Sequence, residues 1–283
     1  MNLTRMQAIT DGIRNLQPWP PVSIKVLNLS REPDVVPADL VGVLQTDAAM
    51  TARVLKLCNS AFYGFHREVD SLHEAANRLG VGALVSLVLT SCVGKTFTGA
   101  GKATELAGKQ LWERSVMNAL SASLLASVHG EVDPNTCYTA ALMQNFGYQV
   151  IHSSCQEALP MIANAKNEGA TDLEAEKEVL GLHHAQIGGR LARRWEFPDV
   201  LVDTILNHHT PERSKAAPKV TAISHMAEEI TNALAQGEGL NSMSSILSGE
   251  AMGLTGFTLD GLCKLEESLN EELNRARELI VQV

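Results

Sequence analysis

Leu111-Trp112-Glu113-Arg114-Ser115-Val116-Met117-Asn118-Ala119-Leu120-Ser121-Ala122-Ser123-Leu124-Leu125-Ala126-Ser127-Val128, followed by Asp133-Pro134 and a further apolar run to Gly147, decides the fold of this chain. Apolar and small residues recur at helical steps along it, without the two-residue alternation of a half-buried strand. The first run therefore predicts a buried helix. Asp133 supplies a capping oxygen and Pro134 a preset first helical position, so a second helix starts there.

The same reading extends in both directions. Towards the C-terminus, Thr171-Asp172-Leu173-Glu174 has capping-box spacing and Gly181 marks the stop of that helix. His183 to Trp195 and Asp199 to His208 form a pair of helices broken by Pro198, and Ala216 to Ala235 forms another. Towards the N-terminus, Gln17-Pro18-Trp19-Pro20-Pro21 is a rigid turn, Pro37 opens one helix and Asp47 caps the next. Ser71 to Glu74 opens a helix that stops at Gly80, and a longer one runs from Gly82 to Phe97. The Gly-, Thr- and Lys-rich stretch from Gly94 to Gly108 reads as a boundary. The chain is expected to be all-α, with an N-terminal lobe over residues 1–100, a second lobe over 105–240 and C-terminal helices over 241–283. Leu262, Leu265, Leu269, Leu273, Ala276 and Ile280 make one apolar stripe in that last segment, suited to docking back on the body.

Charge and cysteine usage narrow the setting. With 23 Lys and Arg against 32 Asp and Glu, the net charge of −9 argues against nucleic acid and anionic membrane surfaces as partners. Cys58, Cys92, Cys137, Cys155 and Cys263 show no CxxC spacing and read as reduced, mostly buried thiols. No apolar leader is evident in the first twenty residues, and the apolar stretch Val81 to Val93 is too short to span a bilayer. A cytoplasmic protein is expected.

Several segments, in order, resemble the HDOD family, the HD-related output domain of bacterial signalling proteins. In the first lobe they are Pro18-Trp19-Pro20-Pro21, the run Gln45 to Leu55, Asn59-Ser60-Ala61-Phe62-Tyr63-Gly64 and Ala75 to Gly80. In the second they are Leu111 to Ser115, Ala140-Ala141-Leu142-Met143-Gln144-Asn145-Phe146-Gly147, Leu182 to Gly188, Arg194-Trp195-Glu196-Phe197-Pro198 and Asn207-His208-His209. The resemblance runs from about Leu16 to Thr210. It implies an N-terminal helical lobe packed on an HD-like helical lobe.

An HD hydrolase takes a His from one helix, an adjacent His-Asp pair from the next and a later Asp, and holds a divalent metal that activates water. The resemblance places Arg114 at the first position and Gln144 and Asn145 at the pair. Guanidinium is always protonated and repels a cation. The amides offer neither imidazole nitrogen nor negative charge. The resemblance thus implies a degenerate HD lobe that is no enzyme, with no metal and no cofactor. Were a cleft retained, Arg114 would be a fixed cation able to attract phosphate.

His184, His208 and His209 remain where the resemblance would put a metal-proximal cluster. Imidazoles suit zinc or nickel. Lacking a carboxylate partner, however, the three make an incomplete set, and hydrogen bonding across packed helices is the preferred reading. His183, at a helix start, is expected to be exposed. Arg190, Arg193 and Arg194, at i, i+3 and i+4, present a basic face for an acidic or phosphorylated partner, or pair with nearby Glu. Glu174 and Glu178 read as a solvated face, and Gly99-Ala100-Gly101-Lys102 lacks the phosphate-loop pattern. Asn59 is expected to cap its helix while Phe62 and Tyr63 pin the loop to the core.

No receiver, GGDEF-like or EAL-like module is legible, so the expectation is a stand-alone, non-enzymatic regulatory scaffold acting through protein contacts. The resemblance implies partners among two-component or second-messenger proteins. The alternative is a residual metal-dependent phosphohydrolase.

Overall fold

The computed structural model describes residues 3–16, 18–98, 105–241, 247 and 249–282, and among these there is no strand. The chain is all-α. Its N-terminal lobe comprises α1 (Leu3–Asn15), α2 (Pro21–Leu29), α3 (Pro37–Leu44), α4 (Ala48–Cys58) and α5 (Leu72–Thr98). Proline opens α2 and α3, where its missing N–H is no loss. Asp47 caps α4 by accepting from the Met50 N–H at 2.9 Å. Gly80, with φ 76° and ψ 176°, breaks α5 where the sequence predicts a stop. By length and composition Leu72–Phe97 would pass for a membrane-crossing helix, yet 61% of its most apolar window is buried inside the chain. Leu84, Val88, Leu89 and Val93 are sealed from solvent, so this is the central helix of the first lobe.

One sequence expectation is corrected between α4 and α5. Asn59 does stand at the C-terminal cap of α4, but its side chain does not cap. It clamps the returning loop instead, donating from Nδ2 to the Val69 carbonyl at 2.8 Å and accepting the Val69 N–H on Oδ1 at 2.7 Å. Val69 is 1% exposed, so its amide has no ready access to water. Asn59→Ala is expected to cost about 1–3 kcal/mol, the penalty for unpaired buried backbone groups. Urea denaturation followed by circular dichroism would measure it; an unchanged midpoint would show that the loop finds other partners.

The second lobe comprises α6 (Glu105–His129), α7 (Pro134–Met143), α8 (Gly147–Ser154), α9 (Leu159–Asn167), α10 (Asp172–Leu180), α11 (His184–Arg194), α12 (Asp199–Asn207) and α13 (Pro218–Ala235). Asp133 caps α7 through the Thr136 N–H, and Thr171 with Glu174 forms the capping box of α10. Gly181, left-handed at φ 83°, ends α10. The last segment adds α14 (Gly249–Thr255), α15 (Leu259–Cys263) and α16 (Glu266–Gln282).

Two aspects of the lobes depart from the sequence reading. The helix opened by Asp133 ends at Met143, so Gln144, Asn145 and Phe146 form a turn before α8. Helices α1, α8 and α9 were not foreseen; α9 is nine residues long and, although Leu159 and Ile162 pack against the core, buries no residue fully, so its apolar stripe is too short to stand out. The stretch from Gly94 to Gly108, read as a boundary, is helical up to Thr98 in α5 and again from Glu105 in α6, because both long helices run into it; residues 99–104 between them, with Gly99-Ala100-Gly101-Lys102, lie outside the described residues.

Three of the quoted motifs meet at the junction of the lobes. Trp19, from the turn before α2, stands 5.4 Å from Phe146, 6.1 Å from Trp195 and 5.2 Å from Phe197, ring centre to ring centre. Glu196 holds a left-handed φ of 56°, which turns both of its aromatic neighbours into this cluster. The C-terminal stripe docks on the body as expected: Leu269, Ala276 and Ile280, with Leu279 added, are buried. Trp112 Nε1 donates to the Ile280 carbonyl at 3.3 Å, and Arg275 donates to the Phe62 carbonyl at 2.7 Å with its guanidinium 5.1 Å above the Phe62 ring. Four of the five cysteines are buried, and all are free thiols.

Candidate functional site

Arg114 and Asn145, two of the three positions that the resemblance aligns with HD ligands, meet around an acid that the sequence reading did not pick. Arg114 on α6 places Nη2 3.1 Å from Glu228 Oε1 on α13. Asn145, in the turn after α7, donates from Nδ2 to the same oxygen at 3.0 Å. Glu228 is 1% exposed, whereas the Arg114 side chain is 32% exposed. Gln144 is buried, and its amide makes no hydrogen bond to the protein. Burial alone would raise the Glu228 pKa, but the opposing charges around it hold it far below the ordinary carboxylate range. His208 would contribute most if charged, but burial drives that imidazole well below its usual pKa, so at neutral pH the permanent countercharge is Arg114.

This chemistry does not fit a divalent ion. The place of a metal charge is taken by a guanidinium bonded to the acid, and Asn145 presents a donor rather than an acceptor. Arg114 as a free phosphate attractor is corrected as well: its charge is already matched by Glu228.

Beside this pair the structure brings His184, His208 and His209 together. Their candidate ligand atoms all lie within 4.8 Å of one another. His184 starts α11, and His208 and His209 follow α12. His184 Nε2 is 3.3 Å from His208 Nε2 and 3.0 Å from His209 Nε2. The expectation that the cluster lacks a carboxylate is overturned. Glu176 on α10, 2% exposed, holds His184 Nδ1 at 2.8 Å and accepts its backbone N–H at 2.6 Å. Glu228 Oε2 lies 3.8 Å from His208 Nε2. On the other side, Tyr148 stacks on the His184 ring at 4.2 Å. Burial lowers the His209 pKa to about 4, so this imidazole too is neutral at physiological pH.

Gly147 and Gly188 make this assembly possible. A Cβ on Gly147 would fall 1.8 Å from the His184 carbonyl oxygen and 2.9 Å from the Gly188 nitrogen. Only glycine lets α8 cross α11 closely enough to set the Asn145 turn beside His184.

The remaining candidates sit elsewhere. Arg190, Arg193 and Arg194 are exposed on α11, and none forms an ion pair among the described residues; Arg194 donates to the Arg14 carbonyl at 2.8 Å. Glu174 and Glu178 are exposed, as read. His183 is half-buried rather than exposed. Glu176 and Glu228 were missed: Glu176 stands among Asp172, Glu174 and Glu178, and Glu228 beside Glu229, so nothing in the local pattern sets either apart.

This all-α arrangement of an N-terminal helical lobe packed on a second helical lobe defines the class. A profile of the HDOD domain matches residues 16–211, most of the chain, and the protein belongs to the HDOD family. A crystal structure of an HDOD domain protein of unknown function from Geobacter sulfurreducens aligns over 98% of both chains with a TM-score of 0.81 and 23% identity. A Shewanella amazonensis protein provisionally named a phosphohydrolase aligns over 97% of both chains, with a TM-score of 0.77 and 25% identity. A Marinobacter aquaeolei protein provisionally named for signal transduction gives a TM-score of 0.76 at 18% identity, over 99% of this chain and 65% of its own. An uncharacterized protein of Treponema pallidum is 27% identical over 77% of this chain, which spans 43% of that relative's length.

Proposed function

We propose that this chain is a non-catalytic signal-transduction domain that works through protein–protein contacts in the cytoplasm. The observation that carries the reading is the Arg114–Glu228 pair. A buried acid in the HD lobe is neutralised by an internal cation, so the positions that would recruit a catalytic metal are chemically closed. The exposed guanidinium groups of Arg190, Arg193 and Arg194 support a docking role towards an acidic or phosphorylated protein of the two-component or second-messenger kind.

Two measurements test this. Incubated with Mg2+ or Mn2+, the chain is expected to hydrolyse bis(p-nitrophenyl) phosphate and cyclic dinucleotides no faster than buffer does. Turnover that vanishes on changing Glu228 or His208 to Ala would replace the proposal by the alternative, a residual phosphohydrolase built on the histidines. Affinity capture with Arg190, Arg193 and Arg194 all changed to Glu is expected to lose partners that the native chain retains. Identical captures would remove the basic face from the reading.

A further inference from the structure

We propose that the cleft beside the proline turn, where the first lobe meets α8, binds a phosphate monoester that carries a flat ring. Arg53 of α4 and Lys95 of α5 would hold the phosphate, and the turn would hold the ring. Charge is the first argument. Both cations line this cleft, and no aspartate or glutamate does. In a chain with 32 acids against 23 bases, a recess with two cations and no acid concentrates anions where the rest of the surface repels them. Neither Arg53 nor Lys95 forms an ion pair among the described residues. Asp47 is near enough to act with Arg53 on the Cys92 thiol, but it does not line the cleft, and its Oδ1 accepts the Met50 N–H at 2.9 Å. Lys95 sits in the last turn of α5, where a cation answers the helix dipole. No such reason places a guanidinium in the middle of α4.

The second argument is the state of the donors. Arg53 Nε is buried and has no hydrogen-bond partner, and the same holds for Trp19 Nε1 on another residue of the wall. Buried donors are normally satisfied, so two left open on residues of one wall point to an acceptor that enters the cleft. The wall's hydroxyls do not supply it with further donors. Ser91 gives its hydrogen to the Val88 carbonyl at 3.0 Å, and Thr96 gives its own to the Cys92 carbonyl at 2.8 Å. Gln149, reaching in from α8, adds an amide from the second lobe.

The third argument is size and lining. The cleft has a volume of about 730 Å3, which lies in the range of small-molecule sites and exceeds what a lone phosphate fills. Leu16, Pro18, Pro20 and Pro21 give it an apolar side against which a ring can lie. Two fixed cations match a phosphate dianion, where a carboxylate would answer only one of them. None of Arg190, Arg193 and Arg194 lines this cleft, so the site and the docking face of α11 stand or fall separately.

The test titrates the full chain, dialysed free of phosphate, with phenyl phosphate, inorganic phosphate and phenol by calorimetry. One equivalent of phenyl phosphate is expected to bind. Inorganic phosphate should bind about 10-fold more weakly, the usual effect of not burying a ring, and phenol more weakly still. Arg53→Gln should weaken phenyl phosphate at least about 10-fold through loss of a charge-assisted hydrogen bond. Lys95→Glu, on an exposed residue whose replacement leaves the core untouched, should weaken it as much by putting an acid in the wall. Circular dichroism checks the fold of both variants. Lys264→Gln, on an exposed lysine outside the cleft, should change nothing. In 15N-labelled protein the Trp19 indole N–H signal, assigned with Trp19→Phe, should move on addition of phenyl phosphate while that of Trp112, already bonded to Ile280, stays. Neither heat nor a moving Trp19 signal from the folded native chain would overturn the site. So would heat that leaves the Trp19 signal in place, affinity that survives both Arg53→Gln and Lys95→Glu, or phenol bound as tightly as its phosphate.

Discussion

Arg114→Ala is expected to lower the stability of this protein by about 3–4 kcal/mol at neutral pH, and Glu228→Ala by clearly less. The larger figure is the usual penalty for stranding one member of a buried ion pair. The asymmetry follows from exposure. Glu228 is 1% exposed and cannot reach water when its guanidinium goes, whereas Arg114 at 32% can re-solvate when the acid goes. The two variants also differ with pH. In the native chain Glu228 has a pKa below its unfolded value, so its stabilisation is present above about pH 4.3 and is lost as pH falls through the folded pKa. With the guanidinium removed, burial dominates and the folded pKa rises above the unfolded one, so the group stabilises only when protonated. The deficit of Arg114→Ala should therefore shrink as the pH falls from 7 towards 4. Urea midpoints across that range, with a chelator present, would measure it. A deficit independent of pH would mean that Glu228 is not the stranded group.

Gly147→Ala should do comparable damage by steric means. A methyl at 1.8 Å from the His184 carbonyl oxygen cannot be accommodated by turning a side chain, because both obstacles are backbone. Helices α8 and α11 would have to part, and overpacking of this kind costs about 3 kcal/mol or more where nothing flexible can yield. Gly12→Ala is the informative contrast: its Cβ meets side-chain atoms only, the Ser154 hydroxyl, Ser154 Cβ at 2.8 Å and Val150 Cγ1 at 3.0 Å, so α1 has to shift by tenths of an ångström but no backbone stands in the way. Thermal melts of the two variants should rank Gly147→Ala well below Gly12→Ala; equal melting points would mean that α8 and α11 slide apart easily.

How far such sites can be read from sequence depends on where their partners lie along the chain. Arg114, Gln144 and Asn145 were legible because each sits inside a motif that fixes its position. The histidines were legible for the same reason, but their chemistry was not. That chemistry depends on Glu176, eight residues before His184, and on Glu228, twenty residues after His208, and neither belongs to a contiguous motif. Caps and stops were read well because Asp47, Thr171 and Gly181 act on their own helices. Asn59 was misread because its side chain bonds across a loop to Val69, a choice that local pattern does not reveal. The all-α class followed from periodicity alone; α9, with only Leu159 and Ile162 packed on the core, left too short a trace.

The indole of Trp19 has a consequence for how this protein can transmit anything. It belongs to the first lobe, yet it is lodged among three rings of the second. Rotating one lobe about the other would drag it out of that nest, so the two halves travel as a single stiff block. Under the signalling role proposed above, a signal would be read from the outer faces, not from an opening and closing hinge.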